Sequence, residues 1–309
     1  VELHQLQCFI AVLEEGGFKR ATARLGITQP ALSYQIKRLE EELGVQLFHR
    51  LPGGITPTDS GRVLLEHAHH VISTVHEAHQ AVRELSEGVA GEIRIGTIKC
   101  VGTYVLPRLL WEIRGKHPMV RPRLQYRSSE ELLESVASKE LDVALVADPA
   151  ADRRLNYELA FEEQISLVAA PGHPLYGRPS VAISDLKDVQ FVALSAQSST
   201  GALIQRYIDR LGITIVPSFS TDDVETVKMM VEERMGVAFL PDMVTSSDVA
   251  GDGPRLTRTA LEPPLSVRLF VITRRDSHRS LALDAFLDAV RGMGGKVAEA
   301  QPDVPPPPA

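Results

Sequence analysis

Two residues between 18 and 44 leave the backbone few choices. Gly26 and Pro30 stand between two short apolar-patterned runs, and each suits only one end of a helix: glycine just past a C-terminus, proline in a first turn. Phe18, Ala21, Thr22 and Leu25 keep one face apolar or small, so a short helix ends at Gly26 in a left-handed conformation. Thr28 then caps a helix whose buried stripe is Leu32, Ile36, Leu39 and Leu43, closed by Gly44. Ahead of both, Leu3, Leu6, Ile10 and Leu13 recur at helical spacing until Gly16-Gly17 stops the run. Two helices joined by a turn of three or four residues containing glycine form a helix-turn-helix, whose second helix enters the DNA major groove.

Residues 59–88 contain no proline, and Leu64, Ala68, Val71, Val75, Ala78, Val82 and Leu85 follow in steps of four and three. That heptad seam predicts a long helix packed against its own copy in a dimer, the alternative being a helix lying on its own domain. After Gly91 the pattern becomes strands alternating with helices. Strands at 92–95, 124–126 and 141–146, with helices at 105–116 and 130–138, make a βαβαβ unit with a parallel sheet. A second unit follows, with strands at 165–170, 191–194, 213–216 and 237–240 and helices at 201–211 and 224–235. A strand at 267–273 and a helix at 281–290 return the chain to the first unit, so segments 161–165 and 265–269 cross between lobes as a hinge. Two such units predict a two-lobed binding domain with a cleft between the lobes.

Composition narrows the class. Of 309 residues, 44% are hydrophobic and 24% charged, as in an ordinary globular chain, and no apolar run nears the length of a membrane span. Glu2 and His4 beside the first leucines do not read as a signal peptide, and the two cysteines, Cys8 and Cys100, fit a reducing compartment, so the expected location is the cytoplasm. The net charge of −7 argues against coating nucleic acid non-specifically. Between Lys19 and Arg62, however, seven Lys/Arg face four Asp/Glu, which leaves a locally basic face. Residues 302–309, with four consecutive prolines, read as a disordered tail.

The segment Ala21-Thr22-Ala23-Arg24-Leu25-Gly26-Ile27-Thr28-Gln29-Pro30-Ala31-Leu32-Ser33, followed by Leu39-Glu40 and Leu43-Gly44-Val45-Gln46-Leu47-Phe48-His49-Arg50, closely resembles the N-terminal signature of LysR-type transcriptional regulators. Thr58-Asp59-Ser60-Gly61 matches the family's wing-to-linker junction at the expected spacing, and the rest of the chain follows the family's order. The resemblance implies an α/β protein with an N-terminal all-α winged helix-turn-helix and a two-lobed effector domain similar to periplasmic solute-binding proteins. The boundaries it suggests are 1–58 for the DNA-binding domain, 59–90 for the linker helix and 91–301 for the effector domain, with lobe I at 91–161 and 270–295 and lobe II at 162–269. It also implies dimerisation through the linker helices, a homotetramer as a dimer of dimers, and gene control modulated by a small molecule. Gene control makes RNA polymerase a further partner.

On the third helix, the face opposite the leucine stripe holds Gln29, Pro30, Ser33, Tyr34 and Lys37. Glutamine addresses adenine edges, serine a base or phosphate, tyrosine a phosphate or thymine methyl, and lysine a guanine or the backbone of double-stranded DNA. The wing, Leu51-Pro52-Gly53-Gly54-Ile55, departs from the family's basic habit, which leaves Arg50 as its minor-groove or phosphate contact. For the effector, three hydroxyl-rich places follow strands. They hold Thr97, Lys99, Cys100 and Thr103; Ser128 and Ser129; and Ser198, Ser199 and Thr200. These match positions that line the family's inducer cleft, as does Thr221, and the free N–H groups of helix N-termini there favour a small anionic metabolite. Thr97 and Thr103 on one lobe, with Ser199 and Thr200 on the other, are expected to hold it in the closed form. The alternative for each is ordinary helix capping.

Cys100, at a helix start beside Lys99, has the setting of a thiol with lowered pKa, but no second cysteine lies in its domain, so a small packing residue is the simpler expectation. Five histidines on the linker helix, His67, His69, His70, His76 and His79, lack a completing carboxylate or cysteine on a shared face, so no metal or cofactor is expected. Ser184-Asp185-Leu186-Lys187 fits Ser-x-x-Lys without its partner motifs, and no phosphate loop or nucleophile elbow is present, so no catalytic residue is assigned. The competing class is a solute-binding or enzymatic α/β protein with an appended helical domain.

Overall fold

The computed structural model describes residues 1–51, 54–186, 189–245, 256–275 and 279–293. The expected tail at 302–309, Pro52 and Gly53 of the wing, and Lys187 lie outside the described residues, as do the side chains of Arg50 and Leu85. The chain divides into two compact units, Val1–Gly88 with Ala137–Glu140, and Val89–Val136 with Leu141–Ala309.

The first unit opens with α1 (Leu3–Glu14), α2 (Phe18–Leu25) and α3 (Gln29–Leu43). Gly26 and Gly44 end α2 and α3 at φ 66° and 70°, a region where a side chain would be strained. Thr28 occupies the N-cap of α3 with extended backbone, but its hydroxyl makes no cap bond; only its carbonyl engages the helix, accepting from Leu32 N at 3.0 Å. Leu32, Ile36 and Leu39 are buried with Phe9, Val12 and Leu47 in one core. Leu43, expected on the same stripe, is 38% exposed, because α3 ends there and Gly44 turns the chain away.

A hairpin follows, β1 (Phe48–Leu51) against β2 (Gly54–Pro57), so the winged unit is not purely helical. Phe48 anchors it, its ring 5.3 Å from Phe9 and 6.0 Å from Phe18. The junction into α4 (Asp59–Glu87) explains its motif. The Thr58 hydroxyl donates to Gln46 O at 2.8 Å and accepts from Gly61 N at 3.0 Å. A Cβ at Gly61 would lie 2.2 Å from the Leu47 carbonyl oxygen, so only glycine permits this approach.

The heptad seam of α4 divides. Ala68 is buried in the core shared with α1, and Leu64 packs against that core, so the first two seam positions serve their own domain. Val71 and Val82 lie exposed at 45% and 69%, joined by exposed Val63 and Ala78 on an apolar stripe.

The second unit begins with β3 (Gly91–Thr97), α5 (Lys99–Tyr104), α6 (Leu106–Lys116), β4 (Val120–Tyr126), α7 (Ser129–Ala137) and β5 (Val143–Ala147). β3 lies between β4 and β5 and is parallel to both, as the βαβαβ pattern requires. It continues through β6 (Leu155–Ala169), β7 (Ser180–Ala182), β8 (Val192–Leu194), α8 (Ser199–Arg210), β9 (Phe219–Thr221), α9 (Val224–Glu232), β10 (Ala238–Pro241), β11 (Thr257–Glu262), β12 (Leu265–Arg274) and α10 (Leu281–Met293).

The main sheet runs β4-β3-β5-β12-β6-β11-β7, with β10 also on β6. The segments expected to cross between lobes lie inside β6 and β12, which form one long antiparallel ladder. Phe161 faces Leu269 and Ile165 faces Leu265, and the register shifts between Leu269 and Phe270. Both expected crossings are therefore hydrogen-bonded strand rather than loop. The strand expected at 213–216 does not form. Its β-branched residues have no neighbouring strand, Val216 is 82% exposed, and β8 pairs instead with β9 after Pro217. Among the described residues no helix is long and apolar enough to cross a membrane.

Candidate functional site

In the first unit, α3 exposes Gln29, Pro30, Ser33, Tyr34 and Lys37 on the face opposite Leu32, Ile36 and Leu39. Tyr34 is 59% exposed, with a phenolic group available to a partner. Lys37 pairs with Glu41 one turn on, at 3.4 Å, and an exposed pair of this kind yields readily to a phosphate. Arg50 sits opposite Ile55 in the hairpin. Sequence reasoning counted Lys19 and Arg20 only as charge. Both are exposed at the start of α2 with no carboxylate partner among the described residues, whereas Arg24 is paired with Glu14 and Glu15, and Arg62 with Asp59.

In the second unit, a cavity of about 340 Å³ opens where α5, α7, α8 and α9 begin. Six of the ten expected effector residues line it: Lys99, Cys100, Ser128, Ser198, Ser199 and Thr200. Four do not. Thr97 is fully buried and donates its hydroxyl to Leu145 O at 3.1 Å, so it ties β3 to β5. Thr103 is exposed on α5 and does not line the cavity. Ser129, buried, places its Oγ 2.8 Å from Ser199 Oγ. Thr221 spends its hydroxyl accepting from Asp223 N at 3.3 Å. The cavity also takes Tyr126, Arg127, Gln197 and Asp222, none of them selected from the sequence, where hydroxyls, Lys99 and Cys100 were followed.

The three longer helices that start here are capped differently. At α7 the Glu131 carboxylate accepts from the Ser128 amide and hydroxyl, each at 3.0 Å, and these bonds hold its carboxyl below the usual range. At α9 Asp223 accepts from Thr226 Oγ1 at 2.7 Å and Thr226 N at 2.9 Å, again lowering the carboxyl. At α8 the cap is neutral: Ser198 Oγ accepts from Gly201 N at 3.0 Å and donates to Ser195 O at 2.9 Å. Gly201 makes that fit possible, since a Cβ there would lie 2.0 Å from the Ser195 carbonyl oxygen. The first turn of α8 contains no acidic residue, and Thr200 within it is 8% exposed with a hydroxyl that has no partner among the described residues. Of the three, the first turn of α8 is thus the one without a carboxylate set against its free N–H groups.

Across the cleft Lys99 Nζ stands 3.5 Å from Asp222 Oδ2, and Cys100 Sγ 3.9 Å from Met243 Sδ. Burial pushes the Cys100 thiol up to about 12, with Glu163 and Glu225 adding to the rise. The lowered thiol that its sequence position allowed is therefore reversed: burial dominates, Glu163 and Glu225 add to it, and the Lys99 ammonium is turned to Asp222.

Residues 86–294 match a family model described as the LysR substrate binding domain, and residues 3–62 one described as a bacterial regulatory helix-turn-helix protein of the lysR family. The chain is 34% identical to the HTH-type transcriptional regulator CbbR of Cereibacter sphaeroides over 243 residues, 78% of each chain. Full-length OxyR from Pseudomonas aeruginosa superposes with a TM-score of 0.75 at 22% identity, covering 98% of this chain and 99% of that one. The regulatory domain of Synechocystis CcmR, solved in complex with 2-PG, gives a TM-score of 0.60 at 24% identity and covers 66% of this chain and 97% of that one.

Proposed function

The chain belongs to the LysR family of transcriptional regulators, and from that premise we propose how it reads DNA and what its cleft binds. It is a DNA-binding regulator with an effector domain, not an enzyme. Residues 1–58 grip DNA, 59–90 link two copies, and 91–301 respond to the effector, all within the cytoplasm. Gln29, Ser33 and Tyr34 of α3 read base edges, with Pro30 starting the helix against the groove. Lys37, Arg50, Lys19 and Arg20 supply the sequence-independent hold on phosphates. The exposed stripe Val63, Val71, Ala78 and Val82 supports pairing of α4 with its copy. Exposed Trp111 on α6 and Leu124 on the sheet-edge strand β4 support a second contact that completes a homotetramer. RNA polymerase is the further partner through which bound DNA is read out.

The effector is a small anionic metabolite seated at the start of α8. The observation that carries this is the α8 N-terminus itself, the only one of the three without a carboxylate cap, with the unpartnered Thr200 hydroxyl beside it. The 2-PG complex of the fold neighbour CcmR supports the same kind of ligand. Selection from a random duplex library followed by footprinting tests the DNA reading. Gln29→Ala with Ser33→Ala should cost about 1–3 kcal/mol at particular base pairs, while Lys19→Ala weakens all sequences alike. A double variant with an unchanged footprint in position and strength overturns the assignment.

A further inference from the structure

Asp222 and Asp223 are neighbours with opposite employments. Asp223 caps α9 through Thr226, which is structural work. Asp222 has one partner among the described residues, Lys99 on the other side of the cleft at 3.5 Å, and both side chains are more than half exposed. The carboxylate therefore does nothing for the fold of α9, yet it occupies a cation that lines the cavity. The other lining cation, Arg127, already donates to Ser135 Oγ at 2.6 Å. The Ser129–Ser199 contact at 2.8 Å crosses the same gap.

We propose that Asp222 is a tethered stand-in for the anionic group of the effector: it holds Lys99 and must be displaced when an anion binds there. This rests on the anion reading of the cleft and deepens it by naming what the ligand competes with. A carboxylate that merely replaced Asp222 at Lys99 would exchange one ion pair for another and gain little. Selective affinity must come from what Asp222 does not reach, the first turn of α8 and Thr200. Asp222 is thus a specificity-determining residue, since it removes the advantage of any anion that engages Lys99 alone.

The test is calorimetric titration of the full chain with 2-PG, inorganic phosphate and acetate, using the parent, Asp222→Asn, Lys99→Gln and the double variant. Freeing an exposed ion pair should tighten anion binding by Asp222→Asn by about threefold to fivefold at low salt, and the factor should shrink as salt is raised. In the Lys99→Gln background the same change should give little or no gain, since there is no lysine to release. A gain of equal size with and without Lys99 would show general repulsion and overturn the stand-in. Equal affinity of the parent and Asp222→Asn would overturn it while leaving the anion reading intact. Failure of all four proteins to bind any of the three anions at millimolar concentration would overturn the anion reading, and the stand-in with it.

Discussion

Thr97 and Thr200 are both threonines where a strand gives way to a helix, and valine is nearly isosteric with each, yet the two substitutions should act on different quantities. Thr97 is fully buried and its hydroxyl donates to Leu145 O at 3.1 Å. Thr97→Val keeps the branched shape that suits β3 and deletes one buried hydrogen bond, for a loss of about 1 kcal/mol. Its hydroxyl faces β5 rather than the cavity, so affinity for an anion should not change. Thr200 is almost as buried, but its hydroxyl bonds to nothing among the described residues, and the two residue types have similar helix propensity. Thr200→Val therefore breaks no bond of the folded chain. The Thr200 oxygen is not sealed from water, so the change should leave stability within about 0.5 kcal/mol of the parent.

Affinity then falls, because a hydrogen bond from a hydroxyl to a charged acceptor contributes about 1.5–3 kcal/mol, or roughly 10-fold to 150-fold in Kd. Urea denaturation gives the first quantity and calorimetry with 2-PG the second, both on the full chain. The two variants should fall on different axes: one less stable with parental Kd, the other of parental stability with weakened binding. If Thr97→Val lost the ligand and Thr200→Val kept it, the cavity would be assigned to the wrong face of β3 and the argument from the α8 cap would fail.

Val71→Asp should leave the monomer folded, because Val71 is 45% exposed in the single chain, but should abolish the dimer by placing a charge in the paired seam. Light scattering reads the loss, and a variant that stays dimeric puts the contact elsewhere. Cys100, with its thiol pushed up to about 12, should stay protonated at neutral pH. Its alkylation by iodoacetamide in the native chain should be slow at pH 7 and accelerate only as pH rises towards that value. Fast modification at pH 7 would contradict the burial and the Glu163 and Glu225 fields.

The recognition helix was legible from its punctuation alone, because Gly26 and Gly44 act on the backbone of their own residues and need no partner to be interpreted. The seam of α4 was legible only in part. Period shows that one face of a helix is apolar but not what covers it, and Ala68 went to α1 while Val71 stayed exposed. Pairing was the harder problem for strands: 213–216 is rich in β-branched residues yet found no neighbour, while β7 and β11, three and six residues long, form because each lies beside the other in the sheet.

At the cleft the difficulty is direction. Ten residues share the chemistry of a ligand contact, but the register of β3 with β5 turns the Thr97 hydroxyl into the sheet, whereas Thr200 reaches the cavity lining from the first turn of α8. The charges were missed for a related reason. Asp222 and Asp223 are adjacent and identical in type, and only the helix start of α9 makes one a cap and leaves the other to face Lys99. A sequence names the residues able to answer an anion. Which of them are still free to do so is decided by the bonds the fold has already made, and in this cleft those bonds leave α8 and Thr200 open.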